Sequence, residues 1–219
     1  MNGMDLEDED MLLEFRIEHK YNCPIIDEKN IIEFDNVDNL LFKYSYKIEL
    51  IQNYFEIGIE KTIATVECYF FDTEYAYKFD FKLFDFFEEE RGDTKGIYNI
   101  LFDRTDFVKK EYEDSYCYNI FYIDKLYVHK EYRGKGYAKM LLNQIEEIVR
   151  YILKLNVGYI LLCALPYEKD NSSELRENDK KLDERLTSLY LDTGFQKIEN
   201  KYNYFLKRIS DPLLTDNEN

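Results

Sequence analysis

Leu13, Phe15, Ile17 and His19 alternate with Glu14, Arg16, Glu18 and Lys20, a period of two that predicts a half-buried strand. Phe42, Tyr44, Tyr46, Ile48 and Leu50 against Lys43, Ser45, Lys47 and Glu49 give a cleaner one. Thr62 to Phe71 puts Ala64, Val66, Cys68 and Phe70 on one face, and Tyr54 to Ile59 is expected to pair with it across Gly58-Ile59-Glu60-Lys61. These three runs predict antiparallel sheet, one face packed and one wet. From 74 to 110 the spacing changes: Phe79, Leu83, Phe86 and Phe87, a break at Arg91-Gly92-Asp93, then Ile97, Ile100 and Leu101, which predicts two helical pieces with most aromatics in the core.

The second half of the chain reads differently. Ile120 to Val128 is apolar on both faces, as a buried parallel strand should be. Ala138, Leu141, Leu142, Ile145, Ile148, Val149, Ile152 and Leu153 then recur at helical spacing, with Lys139, Asn143, Glu146, Glu147, Arg150 and Lys154 opposite, so a helix over 136–154 is expected to stop at Asn156-Val157-Gly158. Tyr159 to Leu165 is the next strand. Leu182, Leu186, Leu189 and Tyr190 mark a helix ending at Thr193-Gly194, and Phe195 to Ile198 with Tyr202 to Lys207 a closing hairpin. Asn171-Ser172-Ser173-Glu174, in the polar stretch before that helix, is either a cap or a loop.

Between strand and helix lies Tyr132-Arg133-Gly134-Lys135-Gly136-Tyr137-Ala138. The first turn of a helix carries N–H groups with no intrahelical acceptor and partial positive charge, and Gly134 and Gly136 let that backbone approach a ligand closely, so a pyrophosphate is the natural guest. A Walker loop would need Gly-Lys-Ser/Thr, which does not occur, and a dinucleotide fingerprint would need a small residue where Lys139 stands.

The run Arg133-x-x-Gly136-x-Ala138 after Leu126-x-Val128 resembles the acyl-CoA pyrophosphate loop of the GNAT superfamily of N-acetyltransferases, and Tyr190 four residues before Gly194-Phe195 is similar to that family's helix-end signature. The clear resemblance covers residues 119 to about 207. It implies a GNAT-like α+β, or α/β, domain over 11–210: a mixed, mostly antiparallel sheet with a central parallel β–α–β unit, in three α/β/α layers. It also implies acetyl-CoA as cofactor. Main chain of Leu126, Tyr127 and Val128 would hold the pantetheine arm, Arg133, Gly134, Lys135, Gly136, Tyr137 and Ala138 the pyrophosphate, and an N–H near Val128 would polarise the thioester. Tyr190 would be the acid for the departing thiolate. Asp124, expected on the face of Tyr122 and Leu126, is either the base that relays the amine's proton or a structural carboxylate paired with Lys125. The acceptor implied is a primary amine of a small molecule or peptide. Asp183 stands where the family often has asparagine and Leu186 where it often has alanine. The other reading is a non-catalytic acyl-CoA-binding module.

Composition narrows the partners. A net charge of −16 leaves no basic face for duplex nucleic acid and favours a cationic substrate or simple solubility. An acetyltransferase acting on a charged-RNA amino group would want the opposite sign. Four cysteines without metal-ligand spacing and two histidines predict no metal site; Cys68 and Cys163 read as reduced core residues, and His129 as a strand-end surface residue. Asp5, Glu7, Asp8, Glu9 and Asp10 stand where a secretory leader would be basic, and no long apolar run exists, so a cytoplasmic protein away from membranes is expected. Residues 1–10 and 211–219 read as disordered polar tails, and the terminal hairpin as an edge able to pair in a homodimer.

Overall fold

The protein is described by a computed structural model over residues 11–20, 43–54, 58–89, 93–113, 115, 117–164, 179–198 and 203–209. The tails at 1–10 and 211–219, Cys23, the Asn171 to Glu174 stretch and the break at Arg91-Gly92 lie outside the described residues.

Seven strands form one sheet in the order β1-β2-β3-β4-β5-β7-β6, with β1 Met11–Lys20, β2 Lys43–Tyr54, β3 Ile59–Phe71, β4 Ile120–Val128, β5 Tyr159–Cys163, β6 Gln196–Lys197 and β7 Tyr204–Arg208. All neighbours are antiparallel except β4 and β5. Tyr54 is the end of β2 and Ile59 the start of β3, paired with each other, so the expected Tyr54 to Ile59 strand is two strand ends of one hairpin, turned through Gly58 at φ +62°.

Two cores cover the two faces. On the first, Ile48, Val66, Cys68, Phe70, Phe121, Ile123 and Leu162 meet helix α4, Tyr137–Glu147, whose Leu141, Leu142 and Ile145 are buried, and helix α5, Asp179–Asp192. On the second, Phe71, Ile120, Tyr122, Tyr159 and Leu161 pack against α1 Thr73–Lys78, α2 Leu83–Glu89 and α3 Asp93–Leu101. The architecture is therefore three-layered α/β/α. The stretch 74–110 holds three α-helices rather than two. Asp72 caps the first, its carboxylate accepting from the Tyr75 N–H at 2.9 Å, and the turn at Phe79 and Asp80, the latter at φ +58°, separates it from the second. Phe87, Tyr98 and Phe102 form an aromatic cluster there, whereas Phe79 is half exposed.

The crossover helix departs from expectation. Beyond Glu147 the chain widens into a π-helical turn, Ile148–Ile152, and Lys154 adopts φ +56°. That turn shifts the phase of the apolar stripe, leaving Ile152 58% exposed instead of buried. Gly158 is not a helix stop. A Cβ there would lie 1.7 Å from the Cys117 carbonyl oxygen, so it permits a close passage of two chains. The strand predicted as buried throughout is so only at Ile120–Ile123; Asp124–Val128 is half exposed.

Among the described residues no helix is long and apolar enough to cross a membrane. Buried phenols and thiols are held neutral: burial pushes Tyr159, Tyr190 and Cys117 up to about 12, and Tyr98 and Cys68 upward as well. Below the ordinary thiol value of about 8.5 both folded and unfolded chains keep these protons, so the stabilisation is complete there. Above it the unfolded chain ionises first, and stability falls with rising pH. Denaturant midpoints are expected to be flat in this respect up to about pH 8, to decline above it and to fall more steeply past about pH 10; a midpoint independent of pH to about 12 would contradict the burial of these groups.

Candidate functional site

The site begins with one extra residue. Glu67 pairs with Lys125 and Cys68 with Ile123, so Asp124 is an unmatched residue in a β-bulge of β4. The bulge reverses the strand's alternation: Tyr122 packs in the second core and Leu126 against the first. Asp124 therefore does not share one face with Tyr122 and Leu126, as strict alternation would have it. The same bulge bends β4 away from β5, whose ladder with β4 covers only Ile120–Ile123 against Tyr159–Leu162. Past Ile123 the two parallel strands diverge.

A cavity of about 220 Å³ fills this splay. Along β4 it is lined by Ile123, Asp124, Lys125, Leu126, Tyr127 and Val128, and along β5 by Leu162 and Cys163. Leu182, Leu186, Leu189 and Tyr190 close it from α5, and Arg133 and Ala138 from the glycine loop and α4. Every expected arm-contacting residue, Leu126, Tyr127 and Val128, is thus on the wall, as are Tyr190 and Asp124. Gly134, Lys135, Gly136 and Tyr137 are not on it; they form the connection between Arg133 and Ala138, which are.

The loop is sterically open. Gly134 and Gly136 stand at φ +78° and +87°, where a side chain is strained, and a Cβ at either would meet nothing within 4 Å. Gly136 is the N-cap of α4 and offers no side-chain cap bond, and the first turn holds no acidic residue, so its leading N–H groups are not served from within the helix. Arg133 Nε donates to the Val128 carbonyl at 3.0 Å with its guanidinium over the Tyr127 ring, while Lys135 Nζ lies over the Tyr132 ring. Arg133 thereby ties the loop to the end of β4. Lys139 Nζ, 3.2 Å from Asp192, links α4 to α5 across the cavity's flank.

Tyr190 is 7% exposed, its ring against Phe195 and Phe205. Its helix end is fixed by Thr193 Oγ1 donating to the Tyr190 carbonyl at 3.0 Å and by Gly194 at φ +86°. Burial, with the Cys163 thiol adding to it, pushes the phenol up to about 12, so it stays protonated at neutral pH. Asp124 Oδ2 is 3.6 Å from Lys125 Nζ, which is also 2.7 Å from Glu67 Oε2. His129 continues past β4, its N–H donating to the Ile63 carbonyl.

Cys163 corrects an expectation. It ends β5 half buried and lines the cavity, while Cys68 and Cys117 are buried elsewhere and none of the three is in a disulfide. Leu182, Leu186 and Leu189 were legible only as a core stripe, since a cavity wall and a core face share the same spacing. Of the two departures from the GNAT pattern, Leu186 is on this wall and Asp183 lines a separate surface hollow with Thr187 and Lys197. Among the described residues, no aromatic of 74–110 lines the cavity.

Residues 60–159 match the family model described as the acetyltransferase (GNAT) family. No curated protein matches the chain in sequence. Among solved structures, a chain of the KacTA–DNA complex is 12% identical, with 93% of this chain and 100% of that one covered at a TM-score of 0.44. Arylalkylamine N-acetyltransferase 2 from Aedes aegypti is 17% identical, with 75% and 73% covered at 0.38. NAA60 of Arabidopsis thaliana, solved in complex with acetyl-CoA, is 14% identical, with 89% and 96% covered at 0.37.

Proposed function

We propose, for a chain whose residues 60–159 match the model of the acetyltransferase (GNAT) family, that it is an N-acetyltransferase passing acetyl from acetyl-CoA directly to a primary amine in a ternary complex. The observation that carries this reading is the convergence on one cavity of diverging parallel strands, the first turn of α4 at Ala138 and the buried Tyr190. The residues fit the group: open glycines and free-standing N–H donors suit a pyrophosphate, and the wall of Leu126, Val128, Ala138 and Leu189 suits a pantetheine arm. Bound there, acetyl-CoA supplies an acetyl group activated as a thioester.

The chain's own groups do the rest. Main chain of β4 between Asp124 and Val128, which β5 has left, orients the arm, and an N–H near Val128 stabilises the oxyanion. Asp124 takes the acceptor's ammonium proton, directly or through water, so that the amine attacks as a neutral nucleophile. Tyr190 faces the leaving sulfur. Full transfer from a phenol raised to about 12 to a thiolate, whose thiol has an ordinary pKa of about 8.5, is uphill unless the phenol is resupplied. Its larger contribution is thus a hydrogen bond that strengthens as the sulfur takes charge; the thiolate leaves with the C–S electron pair and takes up the second proton that the attacking amine sheds.

The acceptor is a cationic small molecule: the net charge of −16 draws cations and repels polyanions, and Asp124 gives an ammonium a local partner. A cytoplasmic setting, where acetyl-CoA is made and used, accords with this reading. Thiol release from acetyl-CoA over a panel of polyamines, amino sugars, amino acids and peptides tests it. Release with polyamines or similar amines is expected, and silence across the panel with the cofactor still bound would favour the non-catalytic acyl-CoA-binding module. Gly136→Ala bears on the loop separately. It meets no neighbour, but at φ +87° it costs roughly 1 kcal/mol. Its methyl also enters the space left for phosphate, so acetyl-CoA binding in calorimetry is expected to weaken at least about tenfold.

A further inference from the structure

Lys125 is the only lysine on the wall of the cavity as described. The bulge puts it there. With Asp124 unmatched, Lys125 takes the place opposite Glu67, where β4 has already parted from β5. Its ammonium stands 2.7 Å from Glu67 Oε2 and 3.6 Å from Asp124 Oδ2, and a third of its side chain remains accessible, 36%. The carboxylate assigned to the acceptor's proton therefore already faces a primary alkylammonium, the chemical class of the acceptor itself, on the wall that holds Tyr190.

We infer that Lys125 is a self-acetylation site: without an external amine, its ε-nitrogen receives the acetyl group in the same cavity. This rests on the acetyltransferase reading and adds to it a covalent modification of the chain. The ε-ammonium gives one proton to Asp124 or a water held by it, and the neutral nitrogen attacks the thioester carbonyl. The C–N bond forms and the C–S bond breaks. The sulfur leaves with the electron pair and is protonated, so that lysine ammonium and acetyl-CoA become Nε-acetyllysine, CoA thiol and one proton. No association entropy opposes attack by a group on the wall, which gives Lys125 an advantage that bulk lysines lack. Once acetylated, Lys125 has no charge for Glu67, and the two carboxylates are left to bind an external cation. Self-modification would thus make the cavity more acidic.

Lys95 and Lys139 are matched controls, each paired to one carboxylate, Glu88 and Asp192, at about half exposure and outside the cavity lining. The folded protein is incubated with acetyl-CoA and no acceptor, and acetyl occupancy is read peptide by peptide by mass spectrometry, with acetyl-CoA binding measured in parallel by calorimetry. Occupancy at Lys125 is expected to exceed that at Lys95 and Lys139 at least about tenfold. Urea-unfolded protein should show no preference, and Lys125→Arg should bind acetyl-CoA yet lose the modified peptide. Binding with Lys125 no more acetylated than the controls would overturn the inference and leave the acetyltransferase reading standing. Absence of binding would remove both.

Discussion

Tyr190→Phe lowers kcat by about 10²–10³-fold, the span that a preorganised hydrogen-bond donor to developing charge contributes, while acetyl-CoA binds with unchanged affinity. The split follows from where the hydroxyl is. The ring fills the first core against Phe195 and Phe205, and phenylalanine keeps that packing. The helix end is held through the Tyr190 carbonyl, to which Thr193 Oγ1 and the Phe195 N–H donate, so it does not depend on the side chain. What is lost is a donor on the cavity wall that matters only as the sulfur becomes negative, and an interaction made only in the transition state depresses kcat and kcat/KM alike. Because burial pushes this phenol up to about 12, its ionisation gives no descending limb in the kcat profile near the ordinary tyrosine value of about 10. Steady-state kinetics with thiol detection, beside calorimetry on the same variant, check both halves. Unchanged turnover would remove Tyr190 from the chemistry.

Gly158→Ala is expected to be among the most destabilising single changes in the chain, at about 4 kcal/mol or more, and to yield little folded protein. The new methyl would lie 1.7 Å from the Cys117 carbonyl oxygen and 2.5 Å from Ser115 Oγ. Retreat is barred on both sides: the Gly158 N–H donates to the Asn119 carbonyl at 3.0 Å, and its own carbonyl accepts from the Ile209 N–H at 2.9 Å. These bonds set β5 beside β4 at the closed end of the splay, so a shift there disturbs the strands that shape the cavity. Urea midpoints against wild type measure the loss; a fall below about 1 kcal/mol would mean that the passage is not so close.

The alternation of Leu13 to His19 and of Tyr44 to Leu50 announced β1 and β2 because each buries one face, and a period of two survives any tertiary arrangement that keeps one side wet. The glycine loop was legible for a similar reason. Positive φ at Gly134 and Gly136 is a demand that few residues other than glycine satisfy, so the letters carry the geometry. The bulge was not legible. Nothing in Ile123-Asp124-Lys125 marks an unmatched residue, since that depends on register with Glu67 and Cys68 on another strand. Simple alternation therefore puts Asp124 on the wrong face, although it lines the cavity. Cys163 reads as core in the letters because an apolar strand looks the same whether its last residue meets a neighbour or a cavity. Gly158 was read as a helix stop, as glycine after a helix usually is, and only the position of Cys117 reveals its steric role.

The account depends most on the α4 start and the gap between β4 and β5 receiving CoA, and titration calorimetry of CoA into the purified protein, with its fold checked by circular dichroism, measures that directly. Saturable one-to-one binding is predicted, weakened by Gly136→Ala and indifferent to Tyr190→Phe. A folded protein that takes up no CoA heat at any attainable concentration would contradict it.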